Sequence, residues 1–131
     1  MTAALTPREP TILVVDDDPL LRELAARVLR RGGYVVIEAA DGLEALAHCK
    51  GTGLIDLVVT DVRMPRLDGL RMAAACGAHR PNLPFLFMSG DADPATLSGP
   101  LLAKPFGPAK LAATVRELLT REGLGREGTT E

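Results

Sequence analysis

Residues 11–19 read TILVVDDDP, and the parsing of that stretch decides the fold. Its apolar run, Ile12 to Val15, is continuous rather than alternating. Alternation marks a strand with one face in water, whereas a continuous run marks a strand covered on both faces, as in a parallel sheet flanked by helices. The run ends in Asp16, Asp17 and Asp18, followed by Pro19. Asp18 before Pro19 has the form of a helix N-cap with proline at the first helical position, where no amide N–H is needed. The stretch therefore reads as strand, acidic turn, helix.

The pattern repeats outward from there. Leu21, Leu24, Ala25, Val28 and Leu29 follow at helical spacing, Arg30 and Arg31 suit the negative end of the helix dipole, and Gly32 with Gly33 stops the helix. Tyr34 to Ala39 reads as a second strand, and Asp41 can cap a helix over Gly42 to Cys49. After Gly51 and Gly53 a third strand begins near Asp56 and ends at Thr60; Pro65 makes Val62 to Asp68 a loop. Asp68 and Gly69 open a third helix rich in small residues (Ala73, Ala74, Ala75, Gly77), fenced by Pro81 and Pro84. Phe85 to Met88 and Leu101 to Ala103 are the last strands, and Pro108 to Glu122 is a closing helix with a stripe of Leu111, Ala112, Val115, Leu118 and Leu119. Strand alternating with helix predicts an α/β fold with a parallel sheet and right-handed crossovers. One connection is short. Between Ser89 and Lys104 lie fourteen residues, among them Gly90, Pro94, Gly99 and Pro100, which leaves room for one turn near Pro94 to Leu97 or an irregular loop.

A chain of 131 residues has the size of one domain with one core. Apolar residues are 47% and aromatics only 3%, so that core is aliphatic. A net charge of -2, one Tyr and three Phe supply neither a basic field nor a stacking platform, which argues against nucleic-acid binding. Cys49 and Cys76 have no CxxC spacing or neighbouring histidine ligands and read as small buried hydrophobes; His48 and His79 receive no role. Met1 to Pro10 contains neither a signal peptide nor a membrane span. The expected organisation is a disordered segment over 1–10, a domain over 11–122 and a flexible polar tail over 123–131, in a soluble cytoplasmic protein without a membrane partner.

In an open parallel sheet, ligands bind outside the carboxyl ends of the strands. At those ends stand Asp16 and Asp17, Asp61, Ser89 and Lys104. Clustered carboxylates with one lysine and one hydroxyl suit a hard cation and a phosphoryl group.

Four motifs in order, ILVVDDDP, VVTDVRMPRLDG, FMSG and AKPF, make the chain from Thr11 to Glu122 resemble a receiver domain of bacterial two-component response regulators. The resemblance implies a flavodoxin-like, doubly wound, five-stranded parallel sheet in the order 2-1-3-4-5. It implies that Asp61 accepts a phosphoryl group from a phosphohistidine of a sensor histidine kinase or histidine phosphotransfer protein. Asp16, Asp17, Asp61 and the backbone carbonyl of Arg63 would hold Mg²⁺ or Mn²⁺, Ser89 would bind a phosphoryl oxygen, and Lys104 would pair with Asp61 and then with the phosphoryl group. Such a receiver is no enzyme toward a separate substrate, although it catalyses its own phosphorylation and dephosphorylation and signals to a downstream protein target.

The sequence departs from that pattern in places. Leu101 stands where many receivers carry an aromatic residue that swings inward on phosphorylation. The helix between the fourth and fifth strands is expected to be shortened or absent, by about two helical turns. We therefore expect phosphorylation to be retained while the aromatic switch and the neighbouring dimer face are lost. By the same resemblance the Lys104–Pro105 bond is a candidate for the cis form. Arg63 and Asp91 are expected to flank the pocket and tune the access of water to the aspartyl phosphate, and Arg22, Arg27, Arg30 and Arg31 to help dock a helical phosphodonor. Two rival functions compete with this one. A haloacid-dehalogenase-type phosphatase would use Asp16 and Asp18 as its DxD pair, yet no Asp follows Lys104 to complete its metal site. A receiver-like interaction module without phosphorylation would have no need of the full acidic set. Only nine residues follow Glu122, so the chain reads as a stand-alone regulator or a receiver separated from a larger hybrid protein.

Overall fold

The computed structural model describes residues 8–121. Five parallel strands, β1 (Thr11–Val15), β2 (Val35–Ala39), β3 (Leu57–Asp61), β4 (Phe85–Ser89) and β5 (Leu101–Ala103), form one sheet in the order β2-β1-β3-β4-β5. The helices are α1 (Pro19–Arg31), α2 (Gly42–Lys50), α3 (Gly69–His79) and α4 (Pro108–Arg121). Both the fold class and the strand order agree with those expected from the sequence.

Strand pleating sorts the core into two layers. Ile12, Val14, Leu57, Val59, Leu86, Met88 and Leu102 face one side, where Ala25 and Leu29 of α1 and Leu111, Val115, Leu118 and Leu119 of α4 cover them. Leu13, Val15, Val58, Phe85 and Phe87 face the other, against Ala45 and Cys49 of α2 and Met72, Ala73 and Cys76 of α3. The central strands β1 and β4 are buried along their whole length, which is why they read as continuous apolar runs. Both cysteines are buried and free.

Local signals explain the element ends. The side chains of Asp18, Asp41 and Asp68 accept hydrogen bonds from the first-turn amides of α1, α2 and α3. Gly33 adopts φ 94°, a conformation that favours glycine, and β2 accordingly starts at Val35 rather than Tyr34. Arg80 donates to the carbonyls of His48, Cys49 and Gly51, satisfying the exposed end of α2 from the end of α3.

Between β4 and β5 the chain makes a single 3-10 turn, Pro94–Thr96, in place of a helix, as a connection of only eleven residues, 90–100, requires. The expectation of disorder over 1–10 is corrected at its end. Pro10 is buried and accepts from the Val35 amide, and Arg8 forms a bidentate pair with Asp56 at 2.6 Å, so residues 8–10 are anchored to the sheet. Residues 1–7, Glu122 and the tail over 123–131 lie outside the described residues.

Candidate functional site

The carboxyl ends of β1, β3, β4 and β5 carry the five side chains singled out from the sequence. Asp16 follows β1 directly and is buried; its Oδ1 accepts from the Asp18 amide at 3.0 Å and its carbonyl accepts from Arg22 Nη1 at 2.9 Å. Asp17 beside it is exposed. Asp61 ends β3, and one carboxylate oxygen each from Asp16, Asp17 and Asp61 lie within 4.8 Å of one another. Such crowding is costly for anions. Burial, then the charges of Asp61 and Asp17, push the Asp16 carboxyl above its ordinary range, against the opposing pull of the Asp18 amide and Lys104. A hard divalent cation accepts this oxygen-only donor set and relieves the repulsion, so the residues fit Mg²⁺ or Mn²⁺.

Lys104 lies just beyond β5, where its amide donates to the Ser89 carbonyl at 2.9 Å, and its peptide bond to Pro105 is cis. Its Nζ reaches Asp61 Oδ1 at 3.3 Å, the same oxygen that accepts from the Val62 amide at 3.0 Å. Asp61 Oδ2 receives no hydrogen bond among the described residues. One oxygen is thus clamped by a cation and an amide, and the other is left to act as donor or nucleophile. Gly69 makes this arrangement possible, because a Cβ there would run into the Asp61 carbonyl.

Ser89 is buried at the end of β4, and the strand register sets it beside Ala103, immediately before Lys104. Its hydroxyl donates to Asp91 Oδ1 at 3.2 Å and accepts from the amides of Asp91 and Ala92 at 3.2 and 3.0 Å. Asp91 in turn is held by Arg63, at 3.1 Å to Nε and 2.9 Å to Nη2. The Arg63 guanidinium, then the Ser89 hydroxyl, lower the Asp91 carboxyl from its ordinary value. The sequence pointed to Arg63 and Asp91 at the pocket mouth but not to their pairing. Nor did it single out Asp91 as a partner of Ser89, although serine followed two residues later by aspartate is a local hydrogen-bonding pattern that could have signalled it.

Most of the arginines on α1 have partners within the domain. Arg22 pairs with Glu38 and the Asp16 carbonyl, Arg30 with Glu38 and the Val36 carbonyl, and Arg27 with Glu23. Three of the four are engaged within the domain. Beside the site α1 also exposes large apolar side chains: Leu20, Leu21 and Leu24 are 64%, 42% and 46% exposed. Leu21 and Leu24 also line a cleft of about 350 Å³ that runs between α1 and α4 to Asp16 and Lys104.

Residues 12–116 match the family model described as the response regulator receiver domain. The chain belongs to the response regulator receiver domain family. It is 38% identical over 120 residues to the sensor kinase CckA of Brucella abortus, covering 86% of this chain and 13% of that protein. The response regulator MprA of a Mycobacterium species is 40% identical over 117 residues, 84% of this chain and 50% of the relative. The chain therefore spans about an eighth of the kinase and half of the regulator. Among solved structures, the receiver domain of the hybrid histidine kinase CckA superposes with a TM-score of 0.74 at 38% identity, covering 83% of this chain and 98% of that one. Chemotaxis protein CheY4 of Vibrio cholerae gives 0.78 at 30% identity, covering 86% and 100%. The protein is a receiver domain of the two-component type, and the phosphoacceptor role fits its acidic pocket. Among the described residues no helix is long and apolar enough to cross a membrane.

Proposed function

We propose that Asp61 takes a phosphoryl group from a phosphohistidine of a sensor histidine kinase or histidine phosphotransfer protein, and that the domain passes the signal on by protein contact in the cytoplasm. The observation that carries this reading is the asymmetric state of the Asp61 carboxylate, with Oδ1 clamped by Lys104 and the Val62 amide and Oδ2 left open. Oδ2 attacks the phosphorus in line with the departing histidine nitrogen. Catalysis of such a step rests on positioning and charge neutralisation more than on covalent chemistry. Lys104 supplies a mobile positive charge that can leave the carboxylate for a phosphoryl oxygen, and the Ser89 hydroxyl supplies a hydrogen bond to another.

Asp16, Asp17, Asp61 and the Arg63 carbonyl would hold Mg²⁺ or Mn²⁺, which when bound neutralises charge between the acidic pocket and the incoming phosphoryl oxygens. The same groups then serve hydrolysis of the aspartyl phosphate, so the receiver catalyses both its loading and its discharge. Leu20, Leu21 and Leu24 beside the pocket support a protein rather than a small molecule as the physiological donor, since exposed apolar side chains clustered on one helix mark contact surface.

The test is phosphotransfer from a set of sensor kinases and from a small phosphoanhydride donor, read by intact mass. Wild-type chain with Mg²⁺ gains one phosphoryl group; Asp61→Asn gains none, and a chelator abolishes the reaction. A wild-type chain that stays unmodified with every donor yet still binds partner proteins would leave the phosphorylation-free interaction module as the correct reading.

A further inference from the structure

The Ser89 hydroxyl has one proton, and in this structure that proton is not aimed at Asp61. It is given to the Asp91 carboxylate, while the oxygen accepts two backbone amides. A hydroxyl offers one donor and two acceptor positions, so Ser89 is saturated by its own loop. It cannot donate to a phosphoryl oxygen without first leaving Asp91. Asp91 does not hold its position unaided, because Arg63, two residues beyond Asp61, grips both of its oxygens from the β3 side. A chain of contacts thus runs from the loop after the acceptor strand, through Arg63 and Asp91, to the hydroxyl that must read the phosphoryl group.

From this geometry we infer that Arg63 and Asp91 form a latch that holds Ser89 in its resting hydrogen bond, and that occupation of Asp61 by a phosphoryl group works against this latch. The inference rests on the phosphoacceptor reading of Asp61. Arg63 and Asp91 are positioning residues, acting through Ser89. The latch is soft for a physical reason: Arg63 and Asp91 side chains are 76% and 59% exposed, and exposed ion pairs are weak. A multiply charged phosphoryl group on Asp61 can therefore compete for both the hydroxyl and the guanidinium. A buried pair in the same place would lock the switch.

The experiment measures the apparent affinity of the Mg²⁺-loaded chain for beryllofluoride, a non-covalent phosphoryl mimic, by isothermal calorimetry. Asp91→Ala releases the Ser89 proton and should tighten binding about fivefold, the size of one ordinary hydrogen bond. Asp91→Asn removes the charge and weakens the Arg63 grip but keeps an acceptor for Ser89, so its gain should be smaller. Ser89→Ala should weaken binding, and in that background Asp91→Ala should change nothing, since the two act through one hydroxyl. Because Asp91 is exposed, its variants are expected to fold, and unchanged thermal unfolding checks this. The latch is overturned if Asp91→Ala leaves affinity unchanged in an otherwise competent chain. It is equally overturned if the gain persists without Ser89, because Asp91 then acts as a general negative charge. A wild-type chain with no beryllofluoride affinity, or one whose affinity survives Asp61→Asn, instead defeats the phosphoacceptor reading itself and the latch with it.

Discussion

At the scale of single residues, the pocket was legible because its chemistry is written locally. An acid, hydroxyl or lysine at the end of an apolar run is visible without knowing what lies opposite, and Asp16, Asp17, Asp61, Ser89 and Lys104 all stand at such ends. Long-range partners were not legible. Arg8 and Asp56 are 48 positions apart, and nothing in either neighbourhood names the other. Asp56 sits just before β3 and is buried, accepting from both Arg8 nitrogens at 2.6 Å and from the Thr11 amide at 2.7 Å, so it ties β1 to β3 at the end opposite the pocket. Burial pushes the Asp56 carboxyl up, but the Arg8 hydrogen bonds and the Thr11 amide together bring it below its ordinary value. A lowered carboxylate adds stability above its unfolded value of about 3.9 and loses it as pH falls through the folded value. Arg8 is half exposed, so solvent screens its charge, and Arg8→Ala should cost about 1–2 kcal/mol at neutral pH. Urea unfolding of both chains should show that difference at neutral pH and its shrinkage as pH falls through the lowered value of the Asp56 carboxyl in the wild-type chain. A difference that does not vary with pH would mean that Arg8 acts by packing alone.

At the scale of elements, the sequence carried the order and type of every strand and helix because each cap and stop is a local device. Asp18, Asp41 and Asp68 cap the helices that the periodicity demanded. The connection between β4 and β5 was legible only as a length. How eleven residues close a parallel crossover depends on a close approach that composition does not reveal: Gly99 lies flat against β4, where a Cβ would strike the Phe85 carbonyl. Backbone cannot yield there as a flexible side-chain tip could. Gly99→Ala should therefore destabilise the domain by about 1–3 kcal/mol, the cost of overpacking. Gly77 provides the opposite sign. It lies inside α3, where an added methyl group would meet nothing within 4 Å, so Gly77→Ala should stabilise by about 0.5–1 kcal/mol through helix propensity alone. Chemical denaturation of the two variants beside wild type checks both. Equal losses at the two positions would show that the crossover is not held by that contact.

At the scale of the whole molecule, a two-sided core leaves its exposed apolar side chains in a pattern that bears on assembly. Among the described residues the exposed large hydrophobics are Leu20, Leu21 and Leu24 on α1, Val35 on β2, Leu43 on α2 and Leu54 before β3. None lies on β5, on α4 or on the crossover before β5. The resemblance gives many receivers a dimer face built from the crossover helix, the fifth strand and the last helix, with an inward-swinging aromatic that reshapes it. Here the crossover is a 3-10 turn, β5 has three residues, and Leu101 occupies the aromatic position. A stable symmetric dimer needs roughly 800 Å² from each partner with an apolar centre, and this face supplies neither the helix nor the apolar side chains. The surface that remains apolar is the α1 side, next to the pocket, where a dimer would block the donor. Loading Asp61 should therefore leave the domain monomeric. Light scattering of the chain with Mg²⁺, before and after beryllofluoride addition, should give the same monomer mass across the accessible concentration range. A dimer that forms on loading and is abolished by Arg116→Glu, on the exposed face of α4, would show that α4 alone can build the interface and would overturn the argument from the missing helix.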